Sequence, residues 1–237
     1  MVSFILCLLP ALLATTSAQA QTVTCQKCSG SAESCQSPAP TCSVDTAKGG
    51  CFTMAEENTL RGTKATGFSR DCMNDFSGVI KDPVTVTLGN GKYLRINIKQ
   101  CSTDNCNSAV LAVPTVDSTA KEVQCPTCFA LNGDPCNTQT IPCTGNEDYC
   151  VDFAGTLTKG SEISSTFAAK GCGSASTKEI KAGTSLVSAV YTYTFTKATS
   201  KPAEKTTTSG ASPALGKFSF ALYLPGLTGL LLVKLLS

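Results

Sequence analysis

Hydrophobic and polar residues alternate in several short segments of the chain, with the two-residue period of a β-strand. The strictest example is residues 191–196, where aromatic residues alternate with threonine. The other segments of this kind are residues 51–54, 93–98 and 149–153. Turn-forming residues separate them, at Gly49-Gly50, at Asn90-Gly91 and at residues 132–135. Because helical periodicity is absent, the sequence predicts an all-β protein built from small antiparallel domains.

The first 20 residues have the pattern of a secretory signal peptide. An apolar run ends at Leu13, and Ala18-Gln19-Ala20 fits the small-x-small cleavage site, which makes Gln21 the mature N-terminus. The alternative is a membrane helix, but the run is too short to span a bilayer.

The C-terminal segment has the pattern of a glycosylphosphatidylinositol (GPI) attachment signal. Small residues at 209–212 precede a short spacer and an apolar stretch at 218–236. This pattern predicts attachment at Ser209, or at Gly210 or Ala211, with removal of residues 210–237. The alternative is a retained transmembrane helix, which is disfavoured because no basic cytoplasmic segment follows.

Charge gives no indication of a nucleic-acid partner. The chain has 19 basic and 17 acidic residues, and processing would remove Lys217 and Lys234, which leaves a formally neutral mature chain. Histidine is absent from the sequence. Catalysis by Ser-His-Asp or Cys-His groups is therefore excluded.

The cysteines form an internal repeat. Of 15 cysteines, Cys7 leaves with the signal peptide, so 14 remain. The first copy has Cys25, Cys28, Cys35, Cys42, Cys51 and Cys72, and the second has Cys125, Cys128, Cys136, Cys143, Cys150 and Cys172. Corresponding positions differ by 99 to 101 residues. Modules this small need disulfides for stability, at roughly 3 kcal/mol each.

The two Cys-x-x-Cys pairs have a second interpretation. Zinc could be bound by Cys25, Cys28, Cys125 and Cys128. The secretory signal favours structural disulfides instead, so no metal and no cofactor are expected.

Composition divides the mature chain further. We expect a first domain at 21–107, a linker at 108–120, a second domain at 121–197 and a Ser/Thr/Pro-rich stalk at 198–213. The stalk is a candidate for O-glycosylation, whereas no Asn-x-Ser/Thr sequence occurs. The second domain has Lys201 and Thr206 where the first has its closing cysteines, Cys101 and Cys106.

The opening Cys25-x-x-Cys28 and the segment from Cys101 to Asn107 resemble the three-finger (LU) domain of lymphocyte antigen 6 and the urokinase receptor. The second copy, at residues 125–131 and 143–147, is most similar to the second domain of gamma-type phospholipase A2 inhibitors and GPI-anchored two-domain LU proteins. The resemblance implies three β fingers projecting from a disulfide hub. It implies the pairs Cys25–Cys51, Cys28–Cys35, Cys42–Cys72, Cys101–Cys106, Cys125–Cys150, Cys128–Cys136 and Cys143–Cys172.

The resemblance also shows what is missing. One family bridge into the third finger is absent, with Gln100 where its second cysteine would lie. The family's terminal asparagine corresponds to Asn107, and the second copy has no equivalent, which leaves the closure of its hub open.

Two adjacent carboxylate pairs are the other candidates for chemistry, Glu56-Glu57 and Glu147-Asp148. Neighbouring residues on a strand point to opposite faces, so neither pair is expected to converge on one substrate. We expect solvated turns at both places. A hydrolase using these carboxylates is accordingly the least favoured function.

Residues on the second fingers are candidates for ligand contact, because fingers expose side chains that a small hub cannot bury. These candidates are Met54, Leu60, Arg61 and Phe68 in the first copy and Phe167 in the second. Phe52 and Phe153 lie beside hub cysteines and are expected to pack on the sheet.

The sequence thus predicts a non-catalytic binding protein on the cell surface. A GPI anchor would hold it in the outer leaflet, and its partner would be an extracellular protein. The alternative is a secreted phospholipase A2 inhibitor that captures the enzyme by protein–protein contact.

Overall fold

Strands dominate the computed structural model, which describes residues 21–35, 39–76, 79–160 and 164–205. In the first copy they are β1 (Thr22–Gln26), β2 (Cys28–Gly30), β3 (Thr41–Asp45), β4 (Gly50–Asn58), β5 (Ala65–Met73), β6 (Val84–Gly89) and β7 (Lys92–Cys101). In the second they are β8 (Ala120–Leu131), β9 (Gln139–Thr144), β10 (Tyr149–Thr158), β11 (Ser165–Gly173), β12 (Ser185–Val187), β13 (Thr192–Pro202) and β14 (Glu204–Lys205). A short 3-10 helix spans Ala175–Glu179. The predicted all-β class is confirmed.

Two of the predicted turns have the backbone that Asn-Gly sequences favour. The φ angles are 51° at Asn90 and 70° at Gly91, and 53° at Asn132 and 84° at Gly133. Positive φ at both central residues suits a hairpin turn whose twist matches the flanking strands. The Asn90-Gly91 turn joins β6 to β7.

Each copy has the three-finger arrangement. In the first, the fingers are β1 with β3, β4 with β5, and β6 with β7. In the second they are β8 with β9, β10 with β11, and β12 with β13. Disulfides gather the finger bases into a hub, and the structure has the same seven pairs that the resemblance implies. The sulfurs considered for zinc all take part in these disulfides.

The two hubs close differently. Asn107 is buried in the first, where its side chain accepts from the Gln26 amide (2.9 Å) and donates to the Gln26 and Phe52 carbonyls (2.9 and 3.2 Å). In the second, β14 pairs with β8 at Gln124 and Val123. A backbone ladder therefore replaces the closing disulfide and the asparagine.

That closure corrects one predicted boundary. Residues 198–202 belong to β13, which pairs with β10, and β14 follows, so the segment up to Lys205 is part of the second domain rather than the start of a stalk. Threonine and lysine suggested a solvated stalk, but they occupy the outward positions of a strand. The signal peptide and the predicted anchor residues Ser209, Gly210 and Ala211 lie outside the described residues.

The copies share one sheet and one core. Val86 and Thr87 of β6 pair with Gly173 and Cys172 of β11, which joins the third finger of the first domain to the second finger of the second. Buried residues from both copies form a single hydrophobic cluster across this junction. The described chain up to Lys205 forms one compact unit. Within the described residues, no helix is long and apolar enough to cross a membrane.

Candidate functional site

The predicted ligand-contact residues need correction, because four of the five are buried. Met54 and Leu60 lie in the core shared by the two domains, and Phe167 stacks edge-on against Tyr193 and Phe195 in the same core. Phe68 packs elsewhere, against the segment that links the domains. Fingers that pack on each other bury the apolar residues that isolated fingers would expose.

Arg61 is the exposed member of that set, and it too contacts the other domain. Its guanidinium donates to the Ser165 hydroxyl (3.0 Å) and lies 5.9 Å from the centre of the Tyr191 ring. The tip of the second finger in the first domain therefore rests against the second domain instead of projecting freely.

Glu56 carries the main polar contact between the domains. Its side chain is fully buried, and it receives hydrogen bonds from the Val190 amide (2.6 Å) and the Tyr193 hydroxyl (2.9 Å). The Ser188 hydroxyl donates to the same carboxylate, as does the Asn58 side-chain amide from its own strand (2.9 Å). One carboxylate thus fixes the β12–β13 loop of the second domain against β4 of the first.

Burial raises the pKa of Glu56 above its ordinary value, and the donors from Ser188, Val190, Tyr193 and Asn58 only partly oppose that shift. Burial also raises the pKa of Tyr193, and the charge of Glu56 adds to that effect. Tyr193 therefore keeps its proton and remains a donor to Glu56.

A glycine makes room for this contact. Gly67 lies opposite Glu56 on β5. A Cβ at Gly67 would come within 2.8 Å of both the Ala189 carbonyl oxygen and Val190 Cγ2. Any side chain at this position would push the loop away from Glu56.

Glu147 is the second buried carboxylate at the domain boundary. It is fully buried, and Arg95 Nη1 of the first domain lies 3.3 Å from its Oε1. Burial raises the pKa of Glu147, and the positive charge of Arg95 opposes the shift.

The prediction of solvated turns was wrong at Glu56 and Glu147. Both carboxylates are buried, and each is contacted by at least one residue of the other domain. The two acidic neighbours are more accessible. Glu57 lies next to Glu56 on β4 and faces the other way, as strand geometry predicts. Asp148 lies in the short loop between β9 and β10, where strand geometry does not apply. Glu57 is half-buried and paired with Lys64 at 2.6 Å, and Asp148 is exposed and pairs with Lys121.

The outer face of the first domain, opposite the shared core, is partly covered by the linker. Leu111 is buried against Ala55 and Phe68 there, and the Asn97 side-chain amide donates to the Ala112 carbonyl (2.8 Å). Farther along the same face, the Tyr93 hydroxyl donates to Glu57 (2.7 Å). This face is occupied by its own chain or by paired charges.

The equivalent face of the second domain is rich in hydroxyl groups and is not covered by any part of the chain within 21–35, 39–76, 79–160 and 164–205. Along β10, buried and accessible positions alternate strictly from Cys150 to Thr158. The accessible residues at the centre of this face are Thr156, Thr158, Thr166, Ser185, Thr192 and Thr194. Four of them lie side by side across four strands, in the order Ser185, Thr194, Thr156, Thr166. We call these six residues the hydroxyl face.

The edges of the hydroxyl face differ from its centre. Asp152 lies at one end, 2.7 Å from Lys197 and 3.8 Å from Lys170. Val187, 57% exposed, lies beside Thr192 at the other. The centre of the face has no charged residue, a feature that it shares with the buried centres of protein–protein interfaces. Strand alternation at residues 191–196 was the sequence signal for this face, but only the strand register shows that the hydroxyls adjoin.

Comparison with known proteins agrees with this architecture. The model of the u-PAR/Ly-6 domain matches residues 21–109 and 121–201. A solved structure with some similarity is that of mouse TEX101, with 20% identity over 67% of this chain and 83% of that chain, at a TM-score of 0.29. That score is too low to support an argument, and the assignment depends on the two domain matches. They cover well over half of the chain, which therefore belongs to the u-PAR/Ly-6 domain family.

Proposed function

We propose that this protein is a GPI-anchored, non-catalytic receptor or adhesion molecule of the cell surface that binds an extracellular protein. Membership in the u-PAR/Ly-6 domain family supports the extracellular disulfide scaffold. The use of both buried carboxylates in domain contacts supports a binding role, because Glu56 and Glu147 face the other domain rather than an open cleft.

The observation that carries the proposal is the hydroxyl face. Threonine is β-branched and loses little side-chain freedom when it is covered, so a face of threonines on a rigid sheet is preorganised for contact. An uncharged centre favours a ligand surface that offers hydrogen-bonding groups and small apolar side chains. Binding to such a face would depend only weakly on salt.

Anchorage is tested by treating intact expressing cells with phosphatidylinositol-specific phospholipase C. Release of the protein into the medium is expected. Retention on the membrane after release of a known GPI-anchored protein from the same cells would contradict the anchor.

The ligand surface is tested with a photo-crosslinking amino acid on intact cells. At position 166, in the hydroxyl face, it should form covalent adducts with a cell-surface protein. At position 66, which occupies the same place in the first domain, adducts should be absent or much weaker. Equal adducts from both positions, or none from position 166, would reject this surface.

The alternative function, phospholipase A2 inhibition, is distinguished from the receptor proposal by mixing the purified protein with a panel of phospholipases A2. Under the receptor proposal, the enzymes continue to hydrolyse phospholipid when the protein is present in at least an equimolar amount. Loss of hydrolysis would favour the inhibitor.

A further inference from the structure

The contact around Glu56 is unusual among the polar contacts of the described residues, because a fully buried carboxylate has no lysine or arginine paired with it. Glu147, the other buried carboxylate, has Arg95. A negative charge without a cation is costly to bury, so the joined domains favour the neutral form of Glu56.

The structure also provides an acceptor for the extra proton. The Ser188 hydroxyl oxygen contacts Glu56 Oε2 and lies 2.7 Å from the Tyr191 carbonyl oxygen. When Glu56 is ionised, Ser188 can donate to it. When Glu56 is protonated, Glu56 can donate to Ser188, and the Ser188 proton turns to the Tyr191 carbonyl. In both states the Glu56 carboxyl, the Ser188 hydroxyl and the Tyr191 carbonyl therefore keep a hydrogen-bond partner.

The remaining groups around Glu56 keep their roles in both states. The Val190 and Tyr191 amides donate from the β12–β13 loop, at 2.6 and 3.4 Å, and Tyr193 donates from β13. Asn58 donates from β4, and Gly67 on β5 presents no side chain. The Arg61 guanidinium lies over the Tyr191 ring, and within the described residues it forms no ion pair with Glu56.

We infer that Glu56 makes the union of the two domains a proton-binding step, so that acidification tightens the contact between them. When the domains separate, the carboxyl is exposed and releases its proton more readily. The stability that Glu56 contributes is fully present at pH values below the carboxyl's ordinary pKa. It is lost as the pH rises through the higher pKa that the carboxyl has when the domains are joined. For one proton, the equilibrium constant for joining changes by at most about tenfold per pH unit.

The test compares the full disulfide-bonded chain with Glu56→Gln and Glu57→Gln. Glutamine is uncharged and close in shape to the protonated acid, so Glu56→Gln should abolish the part of the stability that depends on Glu56 ionisation. Glu57 is the matched control, since it is the adjacent residue on the opposite face of the same strand. Partial burial acts to raise its pKa, but hydrogen bonds from Lys64 and Tyr93 and the charge of Lys64 outweigh burial, so its pKa is lowered.

The measurements are thermal unfolding and hydrogen exchange of the 188–193 amides between pH 7.5 and 5.5, the latter corrected for intrinsic exchange. Relative to Glu56→Gln, the native chain should gain melting temperature and amide protection as the pH falls, and Glu57→Gln should follow the native chain. Parallel curves for the native chain and Glu56→Gln would overturn the inference.

If Glu56→Gln fails to fold, infrared spectroscopy of the native chain decides. A protonated-carboxyl band that grows well above the ordinary titration range of glutamate, and that persists in Glu57→Gln and in Glu147→Gln, supports the inference. Absence of that band above this range rejects it.

Discussion

In each domain, three residues at equivalent positions lie side by side across three neighbouring strands, but large and small side chains are distributed differently among them. In the first domain the row reads Gly67, Glu56 and Ile96, with the large polar residue in the middle. In the second it reads Phe167, Gly155 and Phe195, with the large residues at the flanks. The difference shows that two copies of one module can divide an interface. One supplies a carboxylate and a gap, and the other supplies aromatic packing and the loop that fills the gap.

The central strands of the two domains, β4 and β10, also differ in how far they are buried. Most positions of β4 are buried on both of its faces, whereas β10 alternates between buried and accessible positions. The second domain covers one face of β4, and the linker covers part of the other. The first domain thus depends on its surroundings, whereas one face of the second domain is left uncovered by the residues that the structure describes.

The largest effect is expected from separating the domains. A fragment of residues 21–119 keeps the linker but exposes the inner residues Met54, Val84 and Ile96, which are almost completely buried in the intact chain. It should fail to give a disulfide-bonded, monomeric domain with a dispersed NMR spectrum. A well-dispersed spectrum from this fragment would show that the first domain does not depend on the second.

The buried ion pair should come next. Arg95→Met leaves Glu147 buried without its cation and should lower the free energy of unfolding by about 3–5 kcal/mol. Lys170→Met breaks an ion pair on the open face of the second domain and should cost about 1 kcal/mol or less. Denaturant titration measures both, and similar losses would contradict the contrast between the inner and outer faces.

Removal of the first hub's asparagine should have an intermediate effect. Asn107→Ala leaves part-buried backbone groups of Gln26 and Phe52 without their partner, at a cost of about 2–3 kcal/mol. Ser108→Ala, at an exposed neighbouring position, is the control. The second hub uses a backbone ladder, so exchange of the Gln124 region should stay unchanged in Asn107→Ala, as hydrogen-exchange mass spectrometry can show.

The smallest of these effects is expected at the gap beside Glu56. Gly67→Ala places a methyl group against Ala189 and Val190 and should cost about 1–3 kcal/mol. Thr66→Ala, on an exposed residue next to it, should change stability by about 0.5 kcal/mol or less. If Gly67→Ala melts at the native temperature, the loop does not pack as tightly as the structure shows.

Much of the scaffold could be predicted from the sequence. The near-constant offset between the cysteine groups reveals two modules, and alternation at residues 93–98 and 191–196 identifies strands that the structure contains as parts of β7 and β13. These signals are local or repeated, so one sequence is enough to detect them. The disulfide pairs came from the family resemblance, because spacing alone allows many connectivities.

The domain contacts could not be predicted in the same way. Ser188 and Val190 lie 132 and 134 residues from Glu56, and no local pattern indicates that a charged residue has partners so far along the chain. The closing strand β14 was missed for a related reason. Glu204 and Lys205 have the composition of a solvated segment, and only the backbone pairing with β8 places them in the hub.

The closure of the second hub also has a mechanical consequence. A load applied to the chain beyond Lys205 first meets the two-residue ladder between β14 and β8, which no disulfide reinforces. After it detaches, the load passes to β13, which is paired with β10 along most of its length. The first domain, closed by Cys101–Cys106 and Asn107, is farther from that end of the chain. Tension would therefore loosen the second domain first, from its C-terminal strand inward.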